Sequence, residues 1–109
     1  MALDLPEAIA GYFAADRTDD PARVAQWFSA TAVVKDEGET YSGRDAIRAW
    51  KASSSTKYSY TAEPFRMTQD AGRIHVTSHL EGNFPGSPVD LRYIFELEGG
   101  KIAALEIVP

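Results

Sequence analysis

AVVKDEGETYSGRDAIRAW, residues 32–50, decides how the rest of the chain is read. Ala32, Val33 and Val34 form a β-type apolar run, Gly38 breaks it, and Thr40-Tyr41 can pair back across the turn as a short hairpin. Ser42 stands three residues before Asp45, an S-x-x-D cap for a helix with Ile47 and Trp50 on its inner face and Arg44, Arg48 and Lys51 outside. The serine run from Ser53 to Ser55 is expected to end that helix. The stretch therefore changes from a period of two to a period of 3.6 within a few residues, and its apolar run ends on an acidic pair, Asp36 and Glu37.

Upstream, Asp4 and Glu7 make a D-x-x-E variant of the capping box, with Pro6 in the first turn, so a helix is predicted from Leu5 to Asp16. Leu5, Ile9, Tyr12 and Phe13 form its buried stripe. A second helix begins at Asp20 as N-cap and Pro21 at N1, and buries Val24, Trp27 and Phe28. Downstream the pattern is of strands. Ile74, Val76, Ser78 and Leu80 alternate with His75, Thr77, His79 and Glu81, and Leu91, Tyr93, Phe95 and Leu97 alternate with Arg92, Ile94 and Glu96. An irregularity is expected at Pro64, short turns at residues 70–72 and 98–101 make the strands antiparallel neighbours, and residues 102–108 form the last strand. NFPGSP, residues 83–88, either closes over a pocket or simply turns the chain. The prediction is an α+β domain, three N-terminal helices packed on one face of a curved, mostly antiparallel sheet.

At 109 residues and 44% hydrophobic content, one domain over residues 1–109 is expected. The absence of cysteine removes disulfides, thiolate nucleophiles and cysteine zinc sites. A net charge of −5 argues against nucleic acid, since phosphate binding needs a basic surface. No apolar run approaches the roughly 20 residues that cross a bilayer and no leader pattern opens the chain, so no membrane partner and a cytoplasmic location are expected. H-E-x-x-H, P-loop, G-x-G-x-x-G and G-x-S-x-G patterns are missing, which disfavours metal, nucleotide and serine-hydrolase chemistry. His75 and His79 are four apart, but on a strand that spacing separates them by about 13 Å, too far for one metal. They read instead as part of the outer polar face. No cofactor is expected.

Three stretches carry a family likeness: AGYFAADRTDDPARVAQWFSATAVVKDEG (10–38), YSGRDAIRAW (41–50) and YIFELEGGKIAALEIV (93–108). In order and content they resemble the nuclear transport factor 2-like superfamily, in its SnoaL-like and ketosteroid isomerase-like branch. The resemblance implies a cone in which a bent sheet wraps a long helix, a pocket for a small apolar or polycyclic ligand, and a homodimer formed through the outer sheet face. Steroid isomerisation, polyketide cyclisation, dehydration and epoxide hydrolysis all occur in that superfamily, as do members with no known catalysis, so fold alone does not choose among them.

Carried over residue by residue, the resemblance puts Asp36 at the position of the general base and Tyr12 at that of a tyrosine donating to an oxyanion. The second oxyanion donor of the isomerases, a protonated acid, has no equivalent. Its position is Arg92 without a gap, or Tyr93 with one residue removed from the hairpin turn, and Tyr93 is preferred because it shares a face with Leu91, Phe95 and Leu97. Each has an ordinary reading beside it. Asp36 and Glu37 also suit a polar turn, and Tyr12 and Tyr93 also suit a core. A carboxylate at the mouth of an apolar pocket loses hydration, which disfavours its charged form and favours proton abstraction. Phe13, Trp27, Phe28, Trp50, Tyr58 and Phe95 are candidate ligand contacts, although most aromatic residues of a small domain form its core. Two functions remain open: a cofactor-free isomerase, cyclase or dehydratase acting on a carbonyl compound, and a noncatalytic dimeric ligand-binding or structural domain.

Overall fold

In the computed structural model, described for residues 4–18, 20–57 and 59–109 with backbone alone for 54–57, the first helix starts later than its sequence suggests. Helix α1 spans Glu7–Asp16 with Pro6 at the N-cap, and no side chain caps it, so Asp4 and Glu7 do not close a box. With φ −53° and ψ 150° Pro6 is extended, and its carbonyl takes the N–H of Ala10 at 2.9 Å. Asp20 does cap as expected, accepting the N–H groups of Ala22 and Arg23, and sets α2 at Pro21–Ala25.

Strand β1 (Phe28–Asp36) and β2 (Glu39–Ser42) form the expected hairpin, in which Asp36 pairs with Glu39 and Val34 with Tyr41. Its two turn residues, Glu37 and Gly38, both have positive φ, 52° and 80°, the geometry of a type I′ turn whose twist matches the strands. Helix α3 then runs over Arg44–Lys57. Two expectations fail here. The carbonyl of Gly43 accepts from Ile47, so Gly43 occupies the N-cap position and Ser42 ends a strand. The serine run does not stop the helix either, since serine costs only a fraction of a kcal/mol in a helix, roughly 0.5, and no proline or glycine interrupts the segment.

The remaining strands are β3 (Tyr60–Asp70), β4 (Arg73–Gly82), β5 (Val89–Glu98) and β6 (Lys101–Val108). With β1 and β2 they make one sheet in the order β2-β1-β6-β5-β4-β3, antiparallel throughout except where β1 runs parallel to β6. The expected irregularity at Pro64 is present: the β3–β4 register slips between Pro64 and Arg66, and the skipped Phe65 is 47% exposed. The three-helix expectation holds only in part. Helix α2 has five residues and ends before Trp27 and Phe28, which were expected on it, Phe28 instead starting β1, while α3 follows the β1–β2 hairpin as the order of residues suggests.

The core lies between α1, α3 and the inner sheet face. Ile9, Tyr12, Phe13 and Ile47 pack against Val34, Val76, Phe95 and Leu105, each at most 3% exposed. Tyr12 and Phe13 meet Phe95 edge to face at 5.8 and 6.1 Å between centroids. One residue row crosses the sheet where the site forms. Asp36 pairs with Ile107, Ile107 with Tyr93, and Tyr93 with Val76. Asp36 and Tyr93 are thus two strands apart on one face, with Cα atoms separated by about 10 Å.

Candidate functional site

Along α3 the residues Ala46, Ala49 and Ser53 recur at helical spacing and are small, so the helix leaves space opposite the ends of the sheet strands. The result is a cavity of ≈ 760 Å³. Its walls are that helical stripe with Trp50 and Lys51, the sheet residues Asp36, Ile107, Tyr93, Leu91, Val89 and Leu80, Tyr41 and Tyr60 at the sides, and Phe84, Pro85 and Gly86 of the β4–β5 loop. The NFPGSP loop therefore both turns the chain and contributes wall.

Asp36 is half-buried on this wall. The type I′ turn explains its position: as the last paired residue of β1 its side chain stays on the inner face, while Glu37, already in the turn, is exposed. The Trp50 indole Nε1–H donates to Asp36 Oδ2 at 3.1 Å, and Oδ1 has no donor among the described residues. Tyr93 is 3% exposed, and its hydroxyl has no hydrogen-bond partner among the described residues. Burial pushes its hydroxyl well above the ordinary tyrosine range, against the opposing pull of the Lys51 ammonium, so it remains a proton donor.

Tyr12 sits elsewhere. It is fully buried and absent from the cavity wall, its hydroxyl lacks a partner among the described residues, and burial, reinforced by the Asp16 carboxylate, raises its pKa well above 10. Of the candidate ligand contacts among the described residues, only Trp50 is on the wall. Phe13, Phe28 and Phe95 belong to the closed core, because the inward positions of α1, β1 and β5 where they stand meet one another. Trp27 packs over Gly11 of α1 with Lys101 Nζ 5.5 Å from its ring centroid, away from the cavity. Tyr58 lies outside the described residues.

A buried charge cluster is also here, built on a lysine expected outside. Lys51 is 4% exposed, not outside: it is four residues after Ile47 and shares its buried stripe. Its Nζ meets Asp16 Oδ1 at 2.7 Å, donates to the Tyr60 hydroxyl at 2.9 Å, and stands 4.8 Å from the Trp50 ring centroid. Asp16 is four residues after Tyr12 on α1, so both charges were legible as members of buried stripes once charge was set aside. No group of three His, Cys, Asp or Glu side chains able to hold a metal occurs among the described residues. His79 is engaged on the outer face by Asp90 at 2.8 Å and Glu81 at 3.0 Å. No helix among the described residues is long and apolar enough to cross a membrane.

The SnoaL-like domain model matches residues 9–105. The chain belongs to the SnoaL-like family. Among solved structures, this SnoaL-like chain is similar to a candidate polyketide cyclase from Sinorhizobium meliloti (protein SMa1630), at 41% identity over 95% of each chain and a TM-score of 0.90. It is also similar to a Catenulispora acidiphila protein of ketosteroid isomerase-like fold in complex with trimethylamine, at 19% identity, 95% of this chain, 85% of that one and a TM-score of 0.84. SalBIII, an epoxide hydrolase/cyclase-like enzyme in pyran ring formation in the polyether salinomycin, matches at 22% identity, 94% of this chain, 87% of that one and a TM-score of 0.78. The last two show a shared fold. No curated protein matches the chain.

Proposed function

We propose that this SnoaL-like protein binds a small, largely apolar carbonyl compound in the α3–sheet cavity and catalyses an isomerisation, cyclisation or dehydration without metal or nucleotide cofactor. The observation that carries the proposal is Asp36: a carboxylate on the wall of an otherwise mostly apolar cavity, fixed through Oδ2 by Trp50 and with no donor to Oδ1 among the described residues. Asp36 takes a proton from the carbon beside the carbonyl. The C–H electron pair becomes a C=C bond as the carbonyl π pair moves onto oxygen, and the Tyr93 hydroxyl donates to that oxygen. Return of the proton to another carbon isomerises the compound, attack by the carbon on a second carbonyl closes a ring, and loss of a β-hydroxyl dehydrates it. Tyr93 takes the donor role ahead of Tyr12, since Tyr12 is not on the wall. The relationship to the candidate polyketide cyclase at 41% identity supports a substrate of the polyketide kind.

The test is hydrogen exchange at C1 of 2-tetralone in D2O, followed by proton NMR. Exchange above the buffer background is expected with the native protein, and a fall of about 10²–10⁴-fold with Asp36→Asn. Binding of 2-tetralone with no exchange would instead favour the noncatalytic ligand-binding reading. Pairing of two copies through the outer sheet face is part of the same proposal, and sedimentation equilibrium at twice the chain mass would support it.

A further inference from the structure

The cavity wall carries both signs of charge. Asp36 and the exposed Glu37 are its acids, and its most buried residues are Tyr93 at 3% and Lys51 at 4%. The Trp50 indole touches both charges, giving its N–H to Asp36 while the Lys51 ammonium sits 4.8 Å from its ring centroid. A buried lysine paired with a buried aspartate has a plain structural explanation, as a satisfied ion pair tying α3 to α1. That explanation does not account for which member faces the cavity. Lys51 is on the wall, whereas Asp16, with its side chain 8% exposed, is not. A ligand meets the cation and not its counter-ion.

The valence of the ammonium points the same way. It has three N–H donors. One goes to Asp16 Oδ1 at 2.7 Å, one to the Tyr60 hydroxyl at 2.9 Å, and the third has no acceptor among the described residues. The Tyr93 hydroxyl, also without a partner there, lines the same cavity, and its ring centroid lies 6.3 Å from that of Tyr12, over which the Lys51 ammonium stands at 5.7 Å. Two unspent donors, one of them charged, thus line one mostly apolar cavity, where a charge-assisted hydrogen bond counts for more than in water. A neutral hydrocarbon ligand would leave both donors unpaired, which is costly.

We infer that Lys51 and Tyr93 form an anion subsite, and that the ligand carries an acidic oxygen (an enol, phenol or carboxylic acid) which this subsite holds in its ionised form. The inference rests on the proposed function for its place in the reaction, where the same subsite receives the enolate oxygen, but not for binding. Asp16 and Tyr60 are positioning residues: they hold the ammonium by two of its N–H groups and leave the third for the ligand.

The experiment uses 4-nitrophenol, whose anion is coloured, titrated against the full chain across pH. Bound to the native protein, the probe is expected to ionise at least one pH unit lower than free in solution, equivalent to at least about tenfold tighter binding of the anion than of the neutral phenol. Lys51→Met alone leaves Asp16 unpaired and can unfold the chain, so the double variant Lys51→Met with Asp16→Asn is the one measured. It should bind 4-nitroanisole, which has no acidic proton, within about threefold of the native protein, yet lose the shift in ionisation. Tyr93→Phe should reduce the shift without abolishing it. Asp36→Asn separates the two proposals, because it removes the base while leaving the subsite, and the probe should remain ionised whether or not 2-tetralone exchange is ever observed. A probe that fails to bind the native protein, that binds it neutral, or that ionises equally in the double variant overturns the inference.

Discussion

Asp16→Asn should be the most damaging near-isosteric substitution in the chain. The two side chains of the pair are 8% and 5% exposed and their charged atoms lie 2.7 Å apart. At an effective dielectric constant near 20 the pair attraction is about 6 kcal/mol, most of it offset by the desolvation both ions have undergone. What the substitution leaves behind is an ammonium still buried with no opposing charge, its acceptors the neutral amide oxygen now at position 16 and the Tyr60 hydroxyl, and breaking one side of such a pair costs about 3–5 kcal/mol. Against a total stability of about 5–15 kcal/mol for a domain this size, that is about a fifth or more of the whole, and the Tm should fall by at least about 12 °C. Asn keeps the volume of Asp, so no cavity contributes. Adding Lys51→Met removes the stranded charge, and the double variant should recover about 2 kcal/mol or more relative to Asp16→Asn. The assay is urea unfolding of the native chain, both single variants and the double at pH 7, repeated at high salt, which should leave the coupling largely unchanged for a pair this buried. Single variants within about 1 kcal/mol of native, or costs that simply add, would refute the claim that the pair is buried and coupled.

Two further outcomes follow from the packing and the outer face. A Cβ on Gly11 would overlap the Trp27 ring, so Gly11→Ala should lose about 1–2 kcal/mol despite the better helix propensity of alanine, and should become neutral or stabilising in a Trp27→Leu background, as read by denaturant unfolding. His79 has its pKa raised above 6.5 by hydrogen bonds to Asp90 and then Glu81. The stabilisation from its charge is therefore fully present below about pH 6.5 and lost as pH rises through the higher folded value. Its NMR titration midpoint should lie above 6.5 and drop in Asp90→Asn, and a midpoint at or below 6.5 would contradict the contact.

Local chemistry made the sheet legible from sequence. The alternation of Ile74 to Leu80 and of Leu91 to Leu97, the glycines of the turns and Pro64 at the bulge each act within a few residues, and each appears where the residues suggest. Cap positions were less legible because competing candidates stood side by side. Asp4 and Ser42 offered capping side chains, while Pro6 and Gly43 took the N-cap positions through backbone geometry. The parallel pairing of β1 with β6, which brings Asp36 and Tyr93 onto one row, is a long-range contact that no local pattern encodes. Lys51 is hard to place from sequence for a different reason. Its helical position favours burial and its charge favours exposure, and the acid that tips the balance, Asp16, lies far along the chain on α1. The aromatic candidates divided by register: Trp50 reached the wall, whereas Phe13, Phe28 and Phe95 were consumed by the core.

The most direct test of the account is a crystal structure of the chain with 2-naphthol, an aromatic stand-in for the enol of 2-tetralone. The naphthol is expected inside the α3–sheet cavity, its oxygen about 2.7–3.2 Å from Lys51 Nζ or the Tyr93 hydroxyl and its C1 edge turned toward Asp36. A naphthol bound outside the cavity, or with its oxygen against Asp36 and its rings over Lys51, would contradict it.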